Sequence, residues 1–164
     1  MINKLNAIFV TFFGIGKIKK IPGTFASLAT TLLLFFLFHI LNVSPNIILF
    51  AVIIIFFISL YAVNIFIKDL SNKDPKEVVI DEVIGQSIPL YLYEVSHSIP
   101  KDSSDVLKFY LIIFILFRFF DTAKPFPVNY FDKNFKNSFG VIMDDVCAGL
   151  YVVAVLVLYM VITT

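Results

Sequence analysis

The sequence predicts an all-α fold, a polytopic membrane bundle of about four to five membrane-associated helices with its charged clusters gathered at one edge. Three observations predict it. Of the 164 residues, 59% are hydrophobic and only 15% are charged, against about 25% charged in an average soluble domain. The apolar residues fall in long runs of membrane-crossing length. Short polar breaks separate those runs, and nearly all the charge lies in the breaks or at their borders. The formal net charge is +1, so no strong basic field points to nucleic acid. The single cysteine, Cys147, can form neither an internal disulfide nor a zinc cluster.

Each element follows from its own stretch. Residues 1–20 carry an apolar segment from 5 to 15 and then Lys17, Lys19 and Lys20. No small-residue cleavage site follows, so an interfacial or packed segment is expected rather than a signal peptide. Residues 25–43 form an almost unbroken apolar run, Ser44-Pro45-Asn46 breaks it, and 47–67 form a second. Each is about long enough to cross a ~30 Å hydrocarbon core. Asp74-Pro75 marks a turn in the polar stretch that follows. Residues 83–93 are apolar but short, and Pro89 interrupts them. A polar loop is expected over 94–105, a helix over 106–120, and a loop over 130–140 after Pro125 and Pro127, which disfavour helix. Residues 141–162 make the last apolar helix.

The basic residues set an orientation. If the N-terminus is cytoplasmic and five segments cross, all thirteen Lys and Arg except Lys101 and Lys108 fall on the inner side. That topology brings Gly23-Thr24, Asp81-Glu82, Arg118-Asp121-Lys124 and Asp144-Asp145 to one plane at the cytoplasmic edge.

Asp81-Glu82 and Asp144-Asp145 are vicinal acidic pairs at the heads of apolar helices, in similar contexts, each followed by a glycine, Gly85 or Gly149. One reading is a favourable interaction with helix N-termini, about 0.3–1 kcal/mol each. The other is a divalent cation that relieves clustered charge beside lipid, and hard oxygen ligands suit magnesium or manganese. Arg118, Asp121 and Lys124 adjoin on one helix face. They make either an ion-pair ladder at the membrane boundary or a carboxylate flanked by phosphate-holding cations. Lys20, Gly23 and Thr24 form a basic turn into a helix, with Thr24 as a possible cap and the free N–H groups as an anion site. His39 and His97 lie too far apart to form a site; packing or solvation accounts for each. Together these pieces suggest metal-assisted attack on a phosphate ester at the headgroup level of the inner leaflet.

Five stretches, in order, resemble the phosphatidylglycerophosphatase A family. They are Phe13-Gly14-Ile15-Gly16, the segment from Pro22-Gly23-Thr24 to Leu28, Val79-Ile80-Asp81-Glu82 through Gly85, Leu116-Phe117-Arg118 through Pro127, and Gly140 through Asp144-Asp145 to Gly149. The resemblance implies an all-helical, magnesium-dependent phosphatase of the bacterial cytoplasmic membrane. Its reaction would convert phosphatidylglycerophosphate to phosphatidylglycerol and phosphate. On matching positions it implies Asp81, Glu82, Asp121, Asp144 and Asp145 as metal or catalytic carboxylates. Arg118 and Lys124 would contact phosphate, with Lys20, Gly23 and Thr24 helping. Phe126 stands where the family often has Trp, and the run from Lys136 to Gly140 replaces a glycine-rich stretch. The alternative is a small transporter or ion-binding protein using the clustered acids. A membrane phospholipid is the expected partner; the oligomeric state is not legible.

Overall fold

The structure, a computed structural model, describes residues 2–96 and 103–163. His97 and Lys101 lie outside them. Among the described residues the fold is all-helical: α1 (Ile2–Val10), α2 (Pro22–Phe35), α3 (Pro45–Ile67), α4 (Ile80–Val95), α5 (Ser103–Ala123), α6 (Val128–Asn134) and α7 (Ser138–Thr163). A 3-10 turn, Ile15–Lys17, follows α1, and one π-helical turn, Phe36–Ile40, prolongs α2.

Proline starts two of the long helices. Pro22 and Pro45 sit in the first turns of α2 and α3, where a missing N–H costs nothing and the fixed φ suits the helix. Three stretches are long and apolar enough to cross a membrane: Pro22–Ile40, Pro45–Ile67 and Ser138–Ile162. α5 has 21 residues and a length of about 32 Å, but charges crowd both of its ends. α4 has 16 residues, about 24 Å, and is short for a full crossing. It runs from 80 to 95, longer at both ends than the expected 83–93. Glu94 therefore belongs to α4 rather than to a loop. The loop expected over 130–140 holds most of α6 and the start of α7: α5 has already ended at Ala123, ahead of Pro125, and Pro127 takes the cap position from which α6 starts.

The chain threads up and down. The N-terminal ends of α2, α4 and α7 and the C-terminal end of α5 meet at one end of the bundle. α4 is central and packs most extensively on α7. The two glycines explain how. A Cβ on Gly149 would collide with the Gly85 carbonyl, and a Cβ on Gly85 would lie 2.5 Å from the Asp145 carbonyl oxygen. Between membrane helices apolar burial supplies little drive, and close approach through small residues supplies the packing contacts instead. Leu90, Ile113, Phe117 and Val152 fill the core around this crossing. Outward, Leu32, Phe50, Phe57, Leu111 and Leu158 are each more than half exposed, a surface suited to lipid tails.

Among the described residues, α1 is packed against the bundle. Val10 is fully buried in a second core with Ala62, Val63 and Ile84. Asn6 Nδ2 donates to the Ala62 carbonyl at 2.9 Å, and Val79 N donates to the Val10 carbonyl at 3.0 Å. α1 thereby fixes the strap between α3 and α4 at the point where α4 begins.

Candidate active site

α4 places Asp81 and Glu82 in its first turn, and Asp81 Oδ1 accepts the Glu82 N–H at 3.1 Å. The same arrangement recurs on α7, where Asp144 Oδ1 accepts the Asp145 N–H at 3.0 Å. α7 begins at Ser138, three residues before the apolar run, so its acids lie nearly two turns inside the helix. The glycine contact sets α7 so that this depth matches the first turn of α4. Carboxylate oxygens of Asp81, Glu82 and Asp145 all come within 4.8 Å of one another. Asp81 and Asp145 are buried, and Glu82 Oε2 is buried with no hydrogen-bond partner.

α5 brings the cations. Arg118 Nη1 lies 2.8 Å from Asp121 Oδ2 and donates to Ser27 Oγ on α2 at 3.4 Å. Lys124 ends α5 with a left-handed φ of 45°. Its ammonium bridges Asp132 of α6 at 2.7 Å and Asp144 of α7 at 2.9 Å. Ile21 enters α2 with φ 48°, a conformation that costs a β-branched residue about 1–3 kcal/mol. Two strained junctions thus flank the same space.

That space is a cavity of about 410 Å³. Ile21, Pro22 and Gly23 wall it from α2, and Asp81 and Glu82 from α4. Arg118, Asp121, Thr122 and Lys124 face it from the end of α5, and Asp144 and Asp145 from α7. Every acidic and basic residue singled out on α4, α5 and α7 is therefore brought together. Gly23 joins them by close packing, since a Cβ there would overlap the Glu82 carboxylate. Lys20 and Thr24 are not in the lining. Lys20 is exposed. Thr24 does not cap α2, because Ile21 holds the cap position and no side chain caps there; Pro22 moves the helix start ahead of the threonine.

Three further charged residues were not singled out from the sequence. Asp74 and Lys76 line the cavity from the α3–α4 strap, and Asp132 pairs with Lys124. Asp74-Pro75 reads as an ordinary turn, and nothing local marks it as facing a site. His39 has a polar partner instead of mere packing or solvent: its Nε2 lies 2.9 Å from Glu94 Oε1, which also accepts from the Tyr110 hydroxyl at 2.7 Å. This cluster lies deeper in the bundle, away from the cavity.

Burial, then the neighbouring Glu82 charge, push the Asp81 carboxyl well above its ordinary range. Burial also raises Glu82, with its interaction with Asp81 and then the Arg118 charge offsetting part of the effect. Burial works against the Lys124 ammonium, yet its bonds to Asp132 and Asp144 prevail and raise its pKa. Carboxylates that resist ionising together, beside an unsatisfied oxygen, form a site that a cation would stabilise.

A family model described as phosphatidylglycerophosphatase A matches residues 8–160. The chain is 37% identical to the phosphatidylglycerophosphatase A of Haemophilus influenzae, over 94% of this chain and 88% of that protein. It is 28% identical to the Escherichia coli protein of the same name, over 84% of this chain and 73% of the relative. A Bacteroides thetaiotaomicron relative, 32% identical over 90% of this chain and 88% of its own length, is named provisionally as a phosphatidylinositol-3-phosphatase. No solved structure matches the chain significantly.

Proposed function

The chain belongs to the phosphatidylglycerophosphatase A family, and we infer that it removes the terminal phosphate of phosphatidylglycerophosphate, releasing phosphatidylglycerol and inorganic phosphate. The observation that carries this reading is the cavity itself, in which carboxylates from α4 and α7 face the cations of α5 at the end of an apolar bundle. A transport role has no support: the family and its phosphatidylglycerophosphatase relatives are named for hydrolysis, and the acids of the cavity gather at one end of the bundle.

Asp81, Glu82 and Asp145 fit a hard divalent cation, which we propose is magnesium. Their oxygens converge, and the bare Glu82 Oε2 lacks any other partner. When bound there, the cation would neutralise charge developing on the phosphoryl oxygens. Arg118, already hydrogen-bonded across to α2, is placed to hold a phosphoryl oxygen through its remaining donors. Lys124 supplies a second positive charge, fixed by Asp132 and Asp144. The free N–H groups at the start of α2 add a partial positive charge beside Gly23. Water attacks phosphorus, the ester P–O bond breaks, and the lipid alcohol leaves with a proton. Asp121 and Asp144 are the candidates to take the proton of the attacking water and to protonate the leaving alcohol. In the alternative two-step route one of them attacks phosphorus, the alcohol leaves, and water then cleaves the aspartyl-phosphate to release phosphate. Lys20 and Thr24 keep, at most, an outer role in drawing the anionic headgroup. The strong inward bias of basic residues supports placing this end at the cytoplasmic face of a bacterial inner membrane.

The test is phosphate release by detergent-solubilised protein from phosphatidylglycerophosphate, phosphatidylinositol-3-phosphate and phosphatidic acid. The reading expects the highest kcat/KM for the first. A preference for phosphatidylinositol-3-phosphate would keep the chemistry and change the substrate; no release from any, by folded protein, would overturn it.

A further inference from the structure

We propose that the seam between α2 and α5 is the acyl-chain site of the substrate lipid, and that the lipid enters the cavity sideways through it. This rests on the phosphatase reading above. The seam is a groove of about 250 Å³. Leu28, Leu32 and Phe35 wall it from α2, and Leu107, Leu111 and Phe114 from α5. Two polar residues also line it, and both turn their hydroxyls away: Thr31 Oγ1 donates to the Ser27 carbonyl at 2.8 Å, and the Tyr110 hydroxyl donates to Glu94 at 2.7 Å. The groove therefore offers a ligand no unpaired polar group, as a hydrocarbon chain requires.

Continuity with the cavity sets this groove apart. α2 and α5 carry Gly23 and Arg118 into the cavity, and the Arg118–Ser27 hydrogen bond joins the two helices where the polar lining gives way to the apolar one. Counted along either helix at 1.5 Å per residue, the groove begins about 6–8 Å from the cavity residues and ends about 16–18 Å from them. One leaflet of a ~30 Å hydrocarbon core has about this depth. At the far end, the Phe35 and Tyr110 rings meet edge to face with centroids 5.6 Å apart. In a second apolar groove, lined by Leu49, Ile53, Phe57, Ile84 and Met143 among others, the α4 and α7 wall also reaches the cavity, but the α3 wall contributes nothing to the cavity lining, so only one side of this groove is continuous with the cavity. It serves as the control.

Leu32 and Leu111 are 62% and 57% exposed, so tryptophan at either fills the groove without entering the core. The assay compares kcat/KM for dipalmitoyl phosphatidylglycerophosphate with that for its dihexanoyl analogue, which shares the headgroup. In Leu32→Trp and Leu111→Trp that ratio falls about tenfold or more, chiefly through KM for the long-chain lipid. In Ile53→Trp, in the control groove, it does not change. In parallel, unmodified protein is photolysed with a phosphatidylglycerophosphate carrying a diazirine on one chain, and labelling is expected on α2 and α5 peptides. An unchanged ratio in both groove variants, or labelling confined to α3 and α7, means that only bulk lipid covers the seam and overturns the proposal. If unmodified protein hydrolyses neither lipid, the phosphatase reading fails instead, while the labelling still reports on the groove.

Discussion

Gly85→Ala tests whether the α4–α7 contact builds the site. The added methyl would lie 2.5 Å from the Asp145 carbonyl oxygen and 2.8 Å from Phe117 Cε2. Ordinary contact begins near 3.4 Å, so the two backbones must separate by about 0.9 Å at that level, or one helix must turn. Asp145 is the residue struck, and Asp81 lies one turn above Gly85, so the shift opens the space between the paired carboxylates directly. Overpacking of this kind costs about 1–3 kcal/mol of stability. A misplacement near 1 Å costs about 10²-fold in rate. The expected variant is folded, melts a few degrees lower, loses about 10²-fold in phosphate release, and needs more magnesium to reach half its activity. Phosphate release across a magnesium series, with a thermal melt in the same detergent, reads all of these. A variant within threefold of the unmodified rate and with the same magnesium requirement would refute the idea that the glycine crossing sets the carboxylate geometry.

Other consequences follow from the same arrangement. Asp81→Asn removes one of three crowded carboxylates, so it should melt higher than the unmodified protein in EDTA and lose the further rise that magnesium gives; a retained magnesium-induced rise would contradict its role as a ligand. Asp81 and Glu82 have pKa values raised in the folded chain. The folded state therefore holds protons that the unfolded state releases, and their contribution is present at low pH and lost as pH climbs from the ordinary carboxylate range through the raised values. Melting in EDTA should fall across that climb, and saturating magnesium should flatten the dependence. Lys124→Met leaves Asp132 and Asp144 without their shared cation. We expect a loss of about 1–3 kcal/mol, short of the fully buried value because Lys124 is 29% exposed. We also expect about 10²-fold lower turnover, measured by melt and by phosphate release.

Much of this was legible in the sequence for a physical reason: in lipid, charge is expensive, so the few charged residues near apolar runs mark helix ends and, by topology, one shared plane. Asp81, Arg118 and Asp145 are such residues. The parts that escaped depend on relations between distant segments. Thr24 looked like a cap because Gly23 precedes it, but Pro22 had already started the helix. Asp74, Lys76 and Asp132 lie in polar stretches where charge is ordinary, and only the fold turns them toward the cavity or toward Lys124. Glu94 looked like the edge of a loop, yet His39 and Tyr110 supply partners that keep it in α4. The depth of Asp145 inside α7 followed from the helix start at Ser138, which the hydrophobic pattern alone placed three residues late.

The central claim is that carboxylates from two different helices hold one cation for phosphoester hydrolysis. Its most direct test is phosphate release from phosphatidylglycerophosphate, with magnesium and with EDTA, by the unmodified protein, Asp81→Asn and Asp145→Asn. The account expects magnesium-dependent release that both variants lose while remaining folded. Release that persists in EDTA, or that survives either substitution undiminished, would contradict it.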